Sequence, residues 1–141
     1  MNNWKYKGKD INSCEIATDS VGFVYLITNL NNNRKYIGRK LLTMASTETK
    51  LLKNGNKKKV KCRKESDWLN YHGSCKELKD DILKIGNDYF EREILLFCNS
   101  VSTLNYEEAY YQMINRVLES DEYYNSNIMI RAYKQNIKGK I

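Results

Sequence analysis

The chain contains no proline, a single histidine, and four cysteines that form no Cys-x-x-Cys pair. Without proline, no loop is stiffened by a fixed φ. Cys14, Cys62, Cys75 and Cys98 are scattered, and His72 is the lone imidazole, so a structural zinc site has no ordinary ligand set. Reduced thiols that fill space are the expectation. No apolar run approaches the length that spans a bilayer, and Met1-Asn2-Asn3-Trp4-Lys5 lacks the hydrophobic core of a secretory signal. These absences point to a soluble, cytoplasmic protein with no membrane contact.

Negative charge is missing where positive charge is densest. The stretch from Lys53 to Lys64 packs seven cations and no anion into twelve residues, within a chain of formal charge +7. Such a run repels itself unless something negative lies against it, so a polyanion is the expected partner. Lys57, Lys58, Lys59, Lys61, Arg63 and Lys64, together with Lys40 upstream, are the candidate nucleic-acid contacts. Arg131, Lys134, Lys138 and Lys140 form a second basic patch near the C-terminus. An acidic protein partner would account for the charge as well, though for nothing else in the chain.

The most ordered-looking stretch is 21–40, which reads as a β-hairpin. Phe23 to Thr28 is rich in aromatic and β-branched residues, and Lys35 to Gly38 is a shorter second strand. Asn29 to Asn33 supplies the turn chemistry between them. Tyr25 and Tyr36 sit on the two strands, and Gly38 closes the second.

The rest of the chain yields a coarser outline. Trp4 and Tyr6 are possible anchors in a polar lead-in, 1–20, and 43–50 shows no readable pattern. Gly55 between two asparagines marks a turn. Glu65 to His72 opens a short helix with Ser66 as N-cap. Ser74 to Glu77 has the form of a capping box, with Leu78, Ile82 and Ile85 at helical spacing and Gly86 as C-cap. Ile94 to Cys98 is apolar on both faces, which predicts a buried central strand from Tyr89 to Cys98. Tyr106, Tyr110, Met113 and Val117, widened by Ile114 and Leu118, predict the core-facing stripe of a helix over 106–118. At 141 residues the chain suffices for one domain. The fold class is α+β, a small three-stranded, mainly antiparallel sheet flanked by helices.

Phe23-Val24-Tyr25 and Tyr36-Ile37-Gly38 together give the hairpin a further meaning. They resemble the two motifs of the GIY-YIG nuclease family, the second letter for letter and the first only at its tyrosine. The resemblance covers roughly 21–128, with a basic insert at about 41–66 and a basic tail at 129–141. The phage-encoded, Seg-type freestanding homing endonucleases look nearest.

The resemblance implies a metal-dependent DNA endonuclease that hydrolyses phosphodiester bonds in double-stranded DNA. Its cofactor would be Mg2+, or another divalent cation such as Mn2+, held by one glutamate on a late helix. Helix geometry places Glu107 at the margin of the apolar stripe and Glu108 on a polar face with Gln112 and Asn115. The general family motif favours Glu107, but the phage-borne members the chain resembles carry Glu-Ala with a glutamine four residues on, as Glu108, Ala109 and Gln112 do here, so Glu108 is preferred. Tyr25 would act as, or relay to, the general base, while Tyr36 and Arg39 bind the phosphate. Arg63 is the alternative arginine, since the family places its own about one helix beyond the second motif. Asn125, with Asn127 as runner-up, would be the closing asparagine that fixes the backbone around the site. His72 would help a tyrosine accept a proton. A homodimer is left open, because no second domain is available for sequence recognition. The rival reading is a nucleic-acid-binding module that kept this fold and lost catalysis.

Overall fold

The computed structural model describes residues 3–12, 16 and 19–137. Cys14, Lys138 and Lys140, singled out above, lie outside them. The hairpin forms as expected: β3 (Gly22–Asn29) pairs antiparallel with β4 (Lys35–Leu41), placing Tyr25 opposite Gly38 and Ile27 opposite Tyr36. Asn29 accepts from the Asn31 amide through its side chain at 2.9 Å, and Asn33 takes a positive φ of 61°. The asparagines thus turn the chain as their chemistry predicts.

The sheet is larger than expected. It has five strands and is mixed, where a three-stranded one was predicted. The added pair comes from the lead-in: β1 (Trp4–Tyr6) pairs with β2 (Lys9–Asp10) and runs parallel to β7 (Phe90–Cys98). Strand order is β2-β1-β7-β3-β4, so β7 is interior, in keeping with its two apolar faces. Both expected anchors of the lead-in, Trp4 and Tyr6, lie on β1, a strand too short to show an alternating pattern. Besides its pairing with β7 it is anchored by Trp4, whose indole donates to the Trp68 carbonyl at 2.6 Å and packs edge-on against Phe23 and Tyr25, and by Tyr6 against Phe97.

Side-chain alternation gives the sheet two cores. Phe23, Tyr25, Ile27, Phe90 and Ile94 face one side with Trp4, Trp68 and Leu78. Val24, Ile37, Leu96 and Cys98 face the other with Leu104 and Val117. Helix α1 (Lys76–Ile85) covers the first side through Leu78, and α2 (Val101–Ile114) covers the second through Leu104. The register of β3 on β7 slips between Val24 and Tyr25, a bulge beside the residues of interest. Arg92 is buried on the first side, donates to the carbonyls of Leu69 and Tyr71 at 3.0 and 2.8 Å, and lies over the Trp4 ring. Burial lowers its guanidinium to about 10, so it stays charged at neutral pH.

Three local expectations fail for identifiable reasons. The capping box does not form: α1 starts after Cys75 with no side-chain cap, because Glu77 is drawn to Arg34 at 2.6 Å. Ser66 caps nothing and instead donates to the Leu41 carbonyl at 2.6 Å, and the short turn at Trp68–Asn70 is a 3-10 helix. Most of the expected core stripe points outward, with Tyr106, Tyr110, Met113, Ile114 and Leu118 exposed; Val117, in the turn after α2, is buried as expected. The buried residues of α2 are Thr103, Leu104, Glu107, Ala109 and Gln112. The helix is turned this way because its polar side chains serve the backbone of β4, as described below.

The stretch 43–50, which had no readable pattern, is a strand. It is part of β5 (Thr43–Leu51), which pairs only with β6 (Lys57–Glu65) in a separate two-stranded ribbon. The turn falls at Gly55 (φ 85°), where it was expected.

Trp4→Ala should remove both the parallel strand and the packing beneath the hairpin. We expect it to cost about 3–5 kcal/mol in chemical denaturation. An unchanged midpoint would mean that the lead-in is dispensable.

Candidate active site

Strand β4 is the edge of the sheet, and alternation sends its side chains to both sides. Tyr36 and Lys40 fall on the side of Tyr25; Arg39 falls on the side of α2. At the edge the two sides meet in one open pocket of about 350 Å³, whose lining includes Tyr25, Tyr36, Arg39, Lys40, Tyr71 and Glu108. Tyr25, Tyr36, Arg39 and Glu108, chosen from sequence, are thus brought together.

The tyrosines meet because Gly38 lets them. A Cβ built on Gly38 would lie 2.5 Å from the Tyr25 hydroxyl oxygen and 2.9 Å from the Tyr36 ring. No side chain fits there without moving both rings, whose centroids are 6.1 Å apart. Gly73 is fixed by its backbone instead: its φ of 91° is one that L side chains rarely adopt, while a Cβ there would press on Leu78 at 3.0 Å and only touch the Tyr36 ring at 3.5 Å.

The backbone of this strand is held from the side. Asn125 accepts from the Ile37 amide at 3.1 Å and donates to the Ile37 carbonyl at 2.8 Å, so its amide acts as a substitute strand partner. Gln112 of α2 donates to the same carbonyl at 3.0 Å. The segment before Asn125 continues this pairing, with the Tyr124 amide donating to the Lys35 carbonyl at 2.7 Å. Asn127 lines an adjoining pocket with Tyr36, Ser74 and Glu108 but is not seen bonding to the strand.

Position distinguishes the two glutamates. Glu107 is buried in the body of α2 and is absent from the pocket lining. Glu108 is half-buried at the rim; burial raises its carboxyl, opposed by the Arg39 charge and a hydrogen bond from the Arg39 backbone. Tyr25 is pushed well above its ordinary value, first by burial and then by Tyr71, Tyr36 and Glu108. Tyr36 is raised by burial, against a hydrogen bond from Ser74 3.4 Å away.

Two other residues fall elsewhere. His72 faces a different groove, with Nδ1 2.9 Å from the Asn70 carbonyl, because the turn at Gly73 sends Tyr71 and Ser74 to the pocket and His72 away. Arg63 lies along the ribbon, donating to the Thr43 hydroxyl and carbonyl at 3.0 and 2.8 Å, and does not reach the pocket. Tyr71 was missed from sequence. It is hydrogen-bonded to Tyr25, and Lys40 Nζ sits 4.0 Å over its ring while also pairing with Asp67 at 2.6 Å. Among eleven tyrosines nothing local marks it, since its partner lies on a distant strand.

If the pocket is catalytic, Gly38→Ala should displace both phenols by about an ångström and lower turnover on the order of 10²-fold, with the circular dichroism spectrum retained. Full activity in that variant would mean that ring placement is not critical.

Residues 4–128 match the family model described as "Putative endonuclease segE, GIY-YIG domain". No curated protein and no solved structure matches the chain. The matched span takes in β1 as well as the hairpin, Arg39, Glu108 and Asn125. With most of its length so matched, and with an α+β fold that presents both hairpin tyrosines and a helix glutamate to one pocket, the chain belongs to the GIY-YIG endonuclease family, in its SegE branch.

Proposed function

We propose that the protein is a DNA endonuclease that hydrolyses phosphodiester bonds with the help of one divalent cation, Mg2+ or Mn2+. The observation that carries this is the convergence of Tyr25, Tyr36, Arg39 and Glu108 in one solvent-open pocket. The donor set suits such a cation. Among the described residues no three His, Cys, Asp or Glu side chains cluster, which disfavours an all-protein cage. A single half-buried carboxylate beside an open cavity is compatible with magnesium, which keeps most of its waters. Bound at Glu108, the cation would stabilise charge on the departing 3′ oxygen.

The chain's own groups would do the rest. Arg39 would hold the scissile phosphate by charge-assisted hydrogen bonds. Tyr36 would orient the attacking water from the pocket wall. Tyr25, kept neutral by burial, is poorly suited to be a standing phenolate. It would instead accept the water's proton at its oxygen while passing its own along the hydrogen bond to Tyr71, which in turn releases its hydroxyl proton to solvent in the open pocket. Asn125 and Gln112 would act on the geometry alone, by holding Ile37. His72 has no part in this scheme.

Duplex DNA would be held by Lys40 at the pocket and by the cations of β6, Lys57, Lys58, Lys59, Lys61, Arg63 and Lys64. The Seg-type resemblance extends the proposal to a phage-encoded, freestanding homing enzyme.

Glu108→Gln should abolish plasmid cleavage and leave duplex affinity and the unfolding midpoint in place. Glu107→Gln should act the other way, lowering stability with chemistry retained. The reverse pattern would move the metal to Glu107. Tyr25→Phe should slow cleavage about 10²- to 10⁴-fold, as loss of a proton-transfer group does. Wild-type turnover in the Phe variant would reduce Tyr25 to a packing residue.

A further inference from the structure

The ribbon of β5 and β6 is an arm. It pairs with no strand of the main sheet, and its residues are exposed or half-exposed along its whole length. Among the described residues it is fixed at its root, where the Ser66 amide donates to the Leu42 carbonyl at 2.9 Å and Leu42 is buried. Met44, also at the root, lines the pocket that holds Tyr25 and Glu108. The arm therefore rises from the rim of the site.

Strand geometry redistributes the lysine run in a way the sequence hides. Cross-strand pairing sets Lys57, Lys59, Lys61 and Arg63 on one face, opposite Leu51, Thr49, Thr47 and Ala45. Lys58 and Lys64 fall on the other face, where Lys50 joins them directly opposite Lys58. Like charges placed directly opposite each other destabilise a two-stranded pair. No ion pair among the described residues neutralises a lysine of either strand. Each face also carries one glutamate, Glu65 beside Arg63 and Glu48 beside Lys50, yet cations outnumber it three or four to one, so both faces stay basic. A ribbon lying against one DNA backbone would need cations on one face only.

Resting on the endonuclease reading above, we propose that the ribbon enters the major groove of the duplex, with one face toward each phosphate wall. Dimensions select that groove. One sheet with its side chains is about 10 Å thick, as the spacing of stacked sheets shows. The major groove is about 12 Å wide and the minor groove about 6 Å. At about 3.3 Å per residue the nine-residue strands span roughly 30 Å, or about nine base pairs at 3.4 Å each. The arm would thus contact most of one turn of DNA beside the cut, and its outer strand edge would face the base edges. That makes the arm a recognition element.

The test is duplex binding by the full chain, measured with a chelator so that the DNA stays intact. Two triple variants are compared, Lys57→Ser/Lys59→Ser/Lys61→Ser and Lys50→Ser/Lys58→Ser/Lys64→Ser. Each should flatten the slope of log affinity against log salt by about 2 to 3 units, at roughly 0.9 per phosphate. Guanine N7 methylation within one turn on one side of the cut should weaken wild-type binding about tenfold, while a minor-groove ligand should not compete. Unfolding midpoints of both variants confirm that the fold is intact.

Loss confined to one face would mean that the ribbon lies flat on a single backbone, and would overturn the proposal. Indifference to N7 methylation, or displacement by the minor-groove ligand, would overturn it too. The endonuclease reading fails separately, by absence of plasmid cleavage with magnesium.

Discussion

The structure turns on the absence of a side chain at Gly38. Tyr25 lies across the ladder from it, and the Tyr25 hydroxyl occupies the volume that a Cβ would need. That one vacancy lets a buried phenol cross from the core of the sheet to its edge. The rest of the site is arranged around it: Tyr36 on the adjacent strand, Tyr71 edge-on against Tyr25, and the positive φ of Gly73 turning the chain between Tyr71 and Ser74. It also explains the use of an edge strand, since only there can groups from both sides of a sheet share one solvent-open pocket.

An edge strand is a weak foundation, because its outer backbone groups lack partners. The fold answers this by laying the segment after α2 along β4 and by aiming two amide side chains at Ile37. These bonds account for the orientation of α2. Turning its polar side toward β4 places Gln112 on the strand and Glu108 at the rim, and it leaves Tyr106, Tyr110, Met113 and Ile114 exposed. Burial of the aromatic stripe would have taken the carboxylate away from the tyrosines.

Legibility followed from how local each signal is. The hairpin was readable because its strands, its asparagine turn and its tyrosines lie within one stretch. The interior position of β7 was readable from apolar residues on both faces. The first strand was not, since Trp4 owes its burial to Trp68, Phe23 and Tyr25, all distant in sequence. The capping box failed because a partner outside the helix, Arg34, competed for Glu77. The outward stripe of α2 shows that periodicity reports a helix more reliably than it reports which side is buried. The same logic governs the site. Arg39 and Tyr36 are tied to the hairpin and could be placed from it, whereas Tyr71 and the displacement of His72 depend on a positive φ at Gly73.

The central claim is chemical, that this pocket cuts DNA with a divalent cation. Supercoiled plasmid incubated with the purified wild-type chain tests it most directly. With magnesium present the account predicts conversion to nicked or linear DNA, and a chelator should stop it. Plasmid left intact by folded protein over a range of magnesium and manganese concentrations would contradict the account.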